Sequence, residues 1–588
     1  MKSIKLLSAF LLGAFLTVAI SCKPDNPDKP GGGGGSGSED DLPVDVINGT
    51  TIAEGMNACG LVKDATSGAG IPDIPITDGY TYVTTDANGV YQMKANRYTR
   101  NIYMSVPSNF KIPLDPATHL PLFYSTKNFD HNKVNRNDFT LEPQAVENNF
   151  TMIMIGDPQC QTTAQINRYK TETVPAMISC LNQGHAEGRY PNAYGMTLGD
   201  ITFDSTDLWG GMKDSMSNLK LQDGTWFPIF QCIGNHDHNS LEQNSDYAAT
   251  GKYVENFGPT DYSFNRGQVH IITMDDIMVT NVTNNSSPNR YTWSYNAGFT
   301  KNQFIWLQQD LDHVADKANK AVFLCMHIPM RAGANSGGSS VNKTAYYAEV
   351  LNLLKQFKEA HIMIGHTHYQ QNYVHTGYLC KGGKPIYEHV HGAACGGWWS
   401  CNSNVTGAPN GFNVYEIEGN TVKNWIAMGT KTSPDYQIRV YDGDQIYNGS
   451  KGYEYAWFRS SNKGGAGSIT ATGNTSLKNA FVAEVFNDDD RYWKLEMFQN
   501  GVKIGDFKKL ANGSCCNICI ASYFFNELGK NSDTWTNKTA SHYWYFVPES
   551  KSPSTEKNWE VRATQTIPTS GQVNTYGCTT LTTDYSQF

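Results

Sequence analysis

The sequence lacks the features that mark nucleic-acid-binding and membrane-embedded proteins. It contains no run of lysine or arginine residues, and its net charge is only −9 over 588 residues. We therefore expect no surface for the phosphate backbone of a nucleic acid. After Ile20, no apolar segment is long enough to cross a bilayer. No convincing internal repeat is present. What remains is a globular chain too long for one hydrophobic core, for which two to four domains are expected.

The first residues have the pattern of an export signal. Lys2 and Lys5 precede a short apolar run that ends at Ser21, so residues 1–21 are predicted to be a signal peptide. Cys22 follows, and Ala-Ile-Ser-Cys resembles a bacterial lipobox, in which the cysteine carries a lipid. We expect a lipoprotein at the bacterial outer membrane, on its periplasmic side or at the cell surface; ordinary signal cleavage is the alternative. The glycine- and serine-rich residues 22–45 predict a flexible tether.

The cysteines leave two interpretations open. The chain has 13 cysteines, so an even number remains without Cys22, which is compatible with disulfides in an exported protein. Cys515, Cys516 and Cys519 lie close together, but no second CxxC pair or nearby histidine completes a zinc site. We expect a disulfide or buried free thiols there.

Three regions differ in their residue patterns. Short alternating runs between turn residues predict a β-sandwich over residues 46–147, and they resemble the transthyretin-like sandwiches that precede many secreted hydrolases. Residues 148–428 alternate short apolar runs with amphipathic stretches, which predicts a layered α/β domain. Aromatic alternating strands predict a β-rich domain, a second β-sandwich, over residues 429–588. Within it, residues 487–490 (Asn-Asp-Asp-Asp) are interpreted as a turn, with a calcium site as the alternative.

Five short motifs follow apolar runs in the middle region. In chain order they are Asp157-Pro158-Gln159, Gly199-Asp200, Gly234-Asn235-His236-Asp237, His327-Ile328-Pro329 and Gly365-His366-Thr367-His368. They supply carboxylate, amide and imidazole groups, which are ligands for transition metals. In layered α/β folds, ligands gather beyond the carboxyl ends of strands. The five motifs together predict a two-metal hydrolytic site.

The order of these motifs resembles the calcineurin-like metallophosphoesterase superfamily, whose pattern is D-x-H, GD, GNH-D/E, H and GHxH. The resemblance implies a layered α/β core, a β-sandwich flanked by helices, between the two β-domains. It also implies two divalent transition-metal ions (Mn, Fe, Zn, Co or Ni). The implied reaction is hydrolysis of a phosphate mono- or diester by in-line attack of a metal-bridging hydroxide. The three-part layout further resembles bacterial exported phosphoesterases of this superfamily.

The resemblance also assigns roles to individual residues. Asp200 would bridge the two ions. Three residues would complete the first ion's ligands and three the second's: Asp157, Gln159 and His368, then Asn235, His327 and His366. His236 would face the substrate as general acid or phosphate contact, and Asp237 would orient His236.

Three departures from family patterns narrow these expectations. Gln159 stands where the first motif has histidine, and a neutral glutamine oxygen is a weaker donor than an imidazole nitrogen. We therefore predict a weaker first metal site and activity that depends on added metal after dialysis. Phe203 stands where purple acid phosphatases carry an iron-binding tyrosine. No arginine follows Asp204 as in protein Ser/Thr phosphatases, so both subfamilies are disfavoured.

A glycine-rich loop after the last motif carries Trp398 and Trp399. They are predicted either to stack on a sugar, base or lipid headgroup or to pack against the C-terminal domain. His389 and His391 are interpreted as strand residues without a catalytic role. The expected substrate is a small or extracellular phosphoester. The alternatives are a glycan-binding surface lipoprotein with a degenerate core, and a metalloenzyme that acts on a different bond.

Overall fold

The computed structural model of the chain describes residues 45–239, 242, 245–284, 291–331, 345–404, 406–443, 470–471, 475–477, 479–510, 515–516, 518–520, 523, 539–549 and 553–582. By its contacts, Val44–Phe588 forms one unit. The predicted signal peptide and nearly all of the predicted tether lie outside the described residues. Within the described ranges, no helix combines the length and apolar character that a bilayer crossing requires.

The N-terminal region is built from short strands. They are β1 (Val46–Ile47), β2 (Thr50–Thr51), β3 (Ala58–Asp64), β4 (Pro75–Thr77), β5 (Tyr82–Thr84), β6 (Val90–Met93), β7 (Tyr103–Met104), β8 (Asn135–Arg136) and β9 (Phe139–Leu141). One sheet has the order β6-β3-β8, with β9 also paired to β3, and a second has the order β5-β4-β7. Buried Val62, Ile76 and Met104 belong to the same hydrophobic cluster as the middle region, so the two regions share a core.

The middle region contains thirteen strands and seven α-helices among the described residues. The strands are β10 (Asn149–Ile155), β11 (Ala193–Leu198), β12 (Ile229–Cys232), β13 (Tyr262–Arg266), β14 (Val269–Thr273), β15 (Ile277–Asn284), β16 (Tyr291–Ala297), β17 (Ala321–Cys325), β18 (Glu359–Ile364), β19 (Gln371–Leu379), β20 (Pro385–Val390), β21 (Gly411–Glu418) and β22 (Thr421–Gly429). The helices are α1 (Thr163–Arg168), α2 (Val174–Ala186), α3 (Trp209–Met216), α4 (Asp246–Ala249), α5 (Gly251–Phe257), α6 (Lys301–Asp312) and α7 (Tyr347–Leu354).

Two sheets form the layers of this region. The first has the order β12-β11-β10-β21-β22 and the second the order β13-β14-β17-β18-β20-β19. Along β10, Met152 and Met154 join the large cluster that includes residues of the second sheet, such as Phe323. Ile153 and Ile155 join a cluster with residues of α2 and α3. Successive side chains of a strand point to opposite faces, so the first sheet packs on the second sheet with one face and on helices with the other.

The described part of the C-terminal region contains two four-stranded sheets and two two-stranded sheets. Its strands are β23 (Ile438–Asp442), β24 (Thr470–Ala471), β25 (Thr475–Ser476), β26 (Phe481–Val485), β27 (Trp493–Gln499), β28 (Val502–Asp506), β29 (Lys508–Lys509), β30 (Cys515–Cys516), β31 (Thr539–Ala540), β32 (Tyr543–Phe546), β33 (Trp559–Thr566) and β34 (Val573–Cys578). The two larger sheets have the orders β23-β26-β32-β29 and β28-β27-β33-β34. The mixed α/β core between β-rich ends confirms the predicted fold class.

The acidic segment 487–490 lies between β26 and β27, and its carboxylates bind protein groups. Asp488 accepts a hydrogen bond from the Trp544 indole at 2.8 Å, and Asp489 pairs with Arg491 at 2.5 Å. These contacts favour the turn interpretation over a calcium site.

The ten cysteines whose side chains the structure describes are free thiols, nine of them buried. Cys519 is among them, and its sulfur lies 2.7 Å from the Tyr441 hydroxyl oxygen. The side chains of Cys515 and Cys516 lie outside the description, as does Cys22.

Candidate metal centre

The five motifs all follow strands of the two central sheets. Asp157, Asp200 and Asn235 come after β10, β11 and β12 of the first sheet, which run parallel. His327 and His366 come after β17 and β18 of the second sheet, which are also parallel. Carboxyl ends of parallel strands meet at one edge of a sheet. The oxygen donors therefore come from one sheet and the nitrogen donors from the other.

Sharp turns leave these strands at the motif residues. Asp157, Gln159, Asp200, His366 and His368 have φ angles of 37°, 43°, 51°, 67° and 60°. Left-handed φ angles are uncommon outside glycine and concentrate at functional sites, where the surrounding structure maintains the strain. The turns direct these side chains toward the common edge.

The motif glycines are required by close packing of the loops. A Cβ atom on Gly199 would lie 2.4 Å from the His327 ring, and one on Gly234 would lie 2.1 Å from the Asp200 backbone nitrogen. One on Gly365 would lie 2.6 Å from the Asp157 carboxylate. Each glycine thus lets a neighbouring loop bring its ligand residue close.

Four donor atoms converge at the centre of the site. The Asn235 amide oxygen lies 3.1 Å from His327 Nε2 and 3.0 Å from His366 Nδ1. His327 Nε2 lies 3.2 Å from His366 Nδ1 and 3.3 Å from Asp200 Oδ2. His327 Nδ1–H donates to the Leu198 carbonyl at 2.7 Å. That bond directs Nε2 into the cluster.

Gln159 lies beside this cluster. Its side-chain Nε2–H donates to Asp200 Oδ2 at 2.8 Å, and its backbone N–H donates to the Asp200 carbonyl, also at 2.8 Å. The side-chain oxygen Oε1 is buried and has no hydrogen-bond partner. A buried acceptor without a partner costs about 1–3 kcal/mol. Asp157 lies in the same motif as Gln159, and His368 in the same motif as His366. His368 Nε2 lies 3.5 Å from Asp157 Oδ1.

His236 is held by the backbone of the site and by one carboxylate. Its backbone N–H donates to Asp200 Oδ1 at 2.8 Å. Its ring nitrogen Nδ1 bonds to Asp204 Oδ1 at 2.8 Å, and the Phe203 ring stacks on the imidazole at 4.0 Å. Burial lowers the pKa of His236, but Asp200 and Asp204 together raise it above its usual value. The motif pattern contains no signal for Asp204.

Asp237 has a different environment from the one the sequence suggested. Its carboxylate accepts hydrogen bonds from the backbone N–H groups of Gly234 at 2.9 Å and Ile201 at 3.0 Å. Burial and the neighbouring Asp200 raise the pKa of Asp237 to about 7. Asp237 therefore ties two motif loops together, while the carboxylate on the His236 ring is that of Asp204.

Three family models match consecutive parts of the chain. "N terminal of Calcineurin-like phosphoesterase" matches residues 56–144, "Calcineurin-like phosphoesterase" residues 175–370, and "C terminal of Calcineurin-like phosphoesterase" residues 388–569. The chain belongs to the calcineurin-like phosphoesterases. Calcineurin-like phosphoesterases are a family that uses divalent metal ions.

No curated protein matches the chain. Among solved structures, NAD nucleotidase (NadN) of Haemophilus influenzae matches with 12% sequence identity and a TM-score of 0.24, over 47% of this chain and 49% of that one. The match thus spans about half of that protein's length.

The donor set of this phosphoesterase fits a metal ion. Ligands about 2.0–2.1 Å from one tetrahedral ion lie about 3.3 Å from each other, close to the 3.0–3.3 Å separations of the four central donors. Asp200, His327 and His366 form a cluster with metal-ligand spacing. The Oε1 atom of Gln159 supplies a further oxygen that no protein group satisfies.

The electrostatics of the centre favour one positive charge, at His327. Burial lowers the pKa of His327, but the Asp200 carboxylate outweighs it and raises the pKa to about 10. Burial and the charge of His327 lower the pKa of His366 to about 3. The negative field that holds a proton at His327 would equally attract a cation.

Two buried groups support the loops of the phosphoesterase site. Asp276 accepts a hydrogen bond from the His327 backbone N–H at 3.2 Å and from the Tyr347 hydroxyl at 2.8 Å. His391 bonds through its ring nitrogens to the Ile364 carbonyl at 2.9 Å and the Tyr415 hydroxyl at 3.0 Å.

His389, like His391, is bonded inside the protein. His389 Nε2 lies 2.9 Å from His361 Nδ1 inside the sheet. His389 in β20 and His391 just after it thus form hydrogen bonds inside the two layers.

The paired tryptophans occupy different environments. Trp399 is buried, and its indole N–H donates to the Pro158 carbonyl at 2.9 Å. Trp398 is only half-buried; its ring lies 5.0 Å from that of Phe203 and 5.3 Å from that of His368. The two tryptophans were predicted to share one role. Of the two, only Trp398 has an exposed part of its side chain next to a candidate ligand.

Proposed function

We propose that the chain hydrolyses a phosphate mono- or diester with two divalent transition-metal ions (Mn, Fe, Zn, Co or Ni). The observation that carries the proposal is the convergence of the Asp200, Asn235, His327 and His366 donor atoms at 3.0–3.3 Å. An intact donor set of this kind does not favour the alternative of a degenerate, glycan-binding core.

The proposed ligands divide between two ions. Asp200 lies between the two groups, since its Oδ2 faces both Gln159 and His327. The first ion would be held by Asp157, Gln159 Oε1 and His368, and the second by Asn235, His327 and His366. When bound, such ions supply Lewis-acid charge to phosphoryl oxygens and lower the pKa of water.

His236 is proposed to protonate the leaving oxygen. With Nδ1–H donating to Asp204 at 2.8 Å, the other ring nitrogen is available to a substrate on the open side of the site. Asp204 would hold the ring orientation and stabilise the protonated imidazole. Attack on phosphorus would occur in line, opposite the oxygen that His236 protonates, without a covalent enzyme intermediate.

Export and lipid anchoring remain part of the proposal. Their support is the signal-like pattern of residues 1–21 and the lipobox-like cysteine Cys22. An exported protein would meet its substrate, a small or extracellular phosphoester, outside the cytoplasm. The flexible tether would keep the folded region clear of the membrane.

The test is hydrolysis of p-nitrophenyl phosphate and bis-p-nitrophenyl phosphate by the chain from residue 23. The protein is stripped of metal and then supplied with Mn, Zn, Fe, Co or Ni. Metal-dependent turnover that is lost in His236→Ala and Asp200→Asn is expected, and the preferred ester decides between mono- and diesterase activity.

A matched control is His185→Ala, which removes an exposed histidine near the end of α2 and should leave turnover unchanged. Absence of turnover with every metal, in a protein with a cooperative thermal transition, would contradict the proposed function. Two bound ions per chain without phosphoester turnover would point to a different bond.

A further inference from the structure

Aromatic rings lie beside three histidines of the candidate site. Phe203 stacks on His236 at 4.0 Å. Trp398 lies 5.3 Å from His368, and Tyr295 on β16 lies 6.4 Å from His366 with its ring nearly perpendicular. Three aromatic rings therefore border the polar donors of the centre.

The side of the site from which the leaving group departs is set by His236. If His236 protonates the leaving oxygen, the carbon atoms attached to that oxygen lie on the His236 side. Phe203 covers one face of His236, and the Trp398 ring meets the Phe203 ring edge-on at 5.0 Å and 77°. The leaving group would thus pass these two rings first.

The loop that carries Trp398 is held by several contacts. Trp398 and its neighbour Trp399 both have left-handed backbones, with φ angles of 54° and 59°. Their loop bonds to the first motif, because the Ala394 N–H donates to the Gly156 carbonyl at 2.7 Å. Trp399 is anchored below by Pro158, and Arg168 donates to its backbone carbonyl. Such maintained strain in a bulky residue is characteristic of functional positions.

From these contacts, and resting on the proposed function, we infer that Trp398 selects phosphoesters whose leaving group carries a flat ring. The ring would stack against the indole while the phosphate lies on the ion cluster. A nucleoside and a simple aryl alcohol both present such a face. Alkyl and polyol esters offer no π-surface to the indole, so they would bind more weakly.

The experiment uses two matched pairs of compounds. AMP and ribose 5-phosphate share the same primary ester and differ in the base, so their KM values are compared. Phenylphosphonate and cyclohexylphosphonate are not hydrolysed, so their inhibition constants report binding without leaving-group reactivity. The proteins are wild type, Trp398→Ala, Trp398→Phe and Trp226→Ala, each loaded with the activating metal.

We expect wild type to favour the ring-bearing member of at least one pair by about 2- to 10-fold, the range of one aromatic stacking contact. Trp398→Ala should abolish that preference through KM or the inhibition constant, with kcat little changed, and Trp398→Phe should restore most of it. Trp226 precedes β12, at the end of that strand opposite Asn235, so Trp226→Ala should behave as wild type.

The two pairs separate the two sources of a flat ring. A preference only for AMP identifies a nucleobase, and one only for phenylphosphonate identifies a directly attached aryl group. Turnover with no ring preference, or equal losses for both members in Trp398→Ala, would overturn this inference while leaving the proposed function intact. A cooperative thermal transition and an unchanged metal content, measured on each variant, show that the tryptophan variants are folded and loaded.

Discussion

At the scale of single residues, the contact between Asp204 and His236 predicts a specific loss of activity. The Asp204 carboxylate is the one on the His236 ring. We predict that Asp204→Asn lowers kcat by about 10- to 100-fold, the usual effect of losing a carboxylate that orients a functional imidazole, while metal content stays unchanged. The control is Asp207→Asn, an exposed aspartate of the same segment. Equal kcat in Asp204→Asn and the control would remove Asp204 from the mechanism.

Gln159 leads to a prediction about metal retention. Its neutral amide oxygen is a weaker donor than imidazole nitrogen, so wild type should lose its first ion on dialysis against a chelator. Gln159→His should retain closer to two ions per chain. The measurement is metal content by elemental analysis after dialysis, with Gln161→His, an exposed glutamine nearby, as control. Two ions retained by the wild type would refute the weak-site prediction.

The motifs of the sequence contain the four residues of the central cluster, Asp200, Asn235, His327 and His366, because each motif is local and follows a strand. Their role as metal ligands stays a prediction. Asp204 and the separation of Trp398 from Trp399 were not predictable, because loop direction decides which carboxylate or ring faces the site. Asp237 was predicted beside His236 because of its position in the motif, but its carboxylate is occupied by backbone N–H groups.

At the scale of elements, the apolar runs predicted the buried strands accurately. Among the apolar runs of the middle region, residues 150–155 and 321–326 overlap β10 and β17. The amphipathic residues 302–314 overlap α6, which begins at a Thr300–Gln303 capping box. The β15–β16 hairpin was not predicted. Its strands contain many polar residues and, among the described strands, pair only with each other, so the sequence offers no apolar alternation that would predict them.

Gly234, which follows β12 at the start of the third motif, gives a prediction at the scale of elements. Gly234→Ala would place a Cβ atom 2.1 Å from the Asp200 nitrogen, so the two motif loops must separate. We expect reduced metal content and a lower melting temperature.

Gly210 provides the contrasting variant. It lies in α3, where an added Cβ atom meets nothing within 4 Å, so Gly210→Ala should raise stability by about 0.5–1 kcal/mol. The melting temperature and the metal content of Gly234→Ala and Gly210→Ala are measured and compared. Similar behaviour of the two variants would contradict the close packing described for the loops.

At the scale of the whole molecule, a buried carboxylate links the N-terminal sheets to the core. Asp310 of α6 accepts hydrogen bonds from Tyr82 at 2.9 Å, Ser263 at 2.5 Å and His270 at 2.7 Å. Burial raises its pKa, but His270 and these hydrogen bonds outweigh burial and hold the pKa of Asp310 below its usual value.

A depressed carboxylate pKa stabilises the folded state above the unfolded pKa of about 4, and that contribution is lost as pH falls through the folded pKa. Asp310→Asn should therefore destabilise the protein most at neutral pH, and the difference from wild type should shrink below about pH 4. Urea midpoints across this pH range provide the measurement. Asp312→Asn, exposed on the same helix, is the control, and a pH-independent difference would contradict the linkage.

Anchoring is also a property of the whole chain. If Cys22 carries the lipid, Cys22→Ala should move the protein from the membrane fraction to the soluble fraction and abolish incorporation of labelled palmitate. Catalytic constants of the purified protein should not change. Wild-type protein without label would favour ordinary signal cleavage.

The division of donors between the two sheets has a mechanical consequence. Every proposed oxygen ligand follows a strand of the first sheet and every proposed imidazole ligand follows a strand of the second. Bound ions would therefore cross-link layers that otherwise adhere mainly through side-chain packing. Ligands that bind only the native state add to its stability. A chelator would therefore act on this protein as a mild denaturant, and proteolysis at the rim of the sandwich would report metal loss before any assay of turnover.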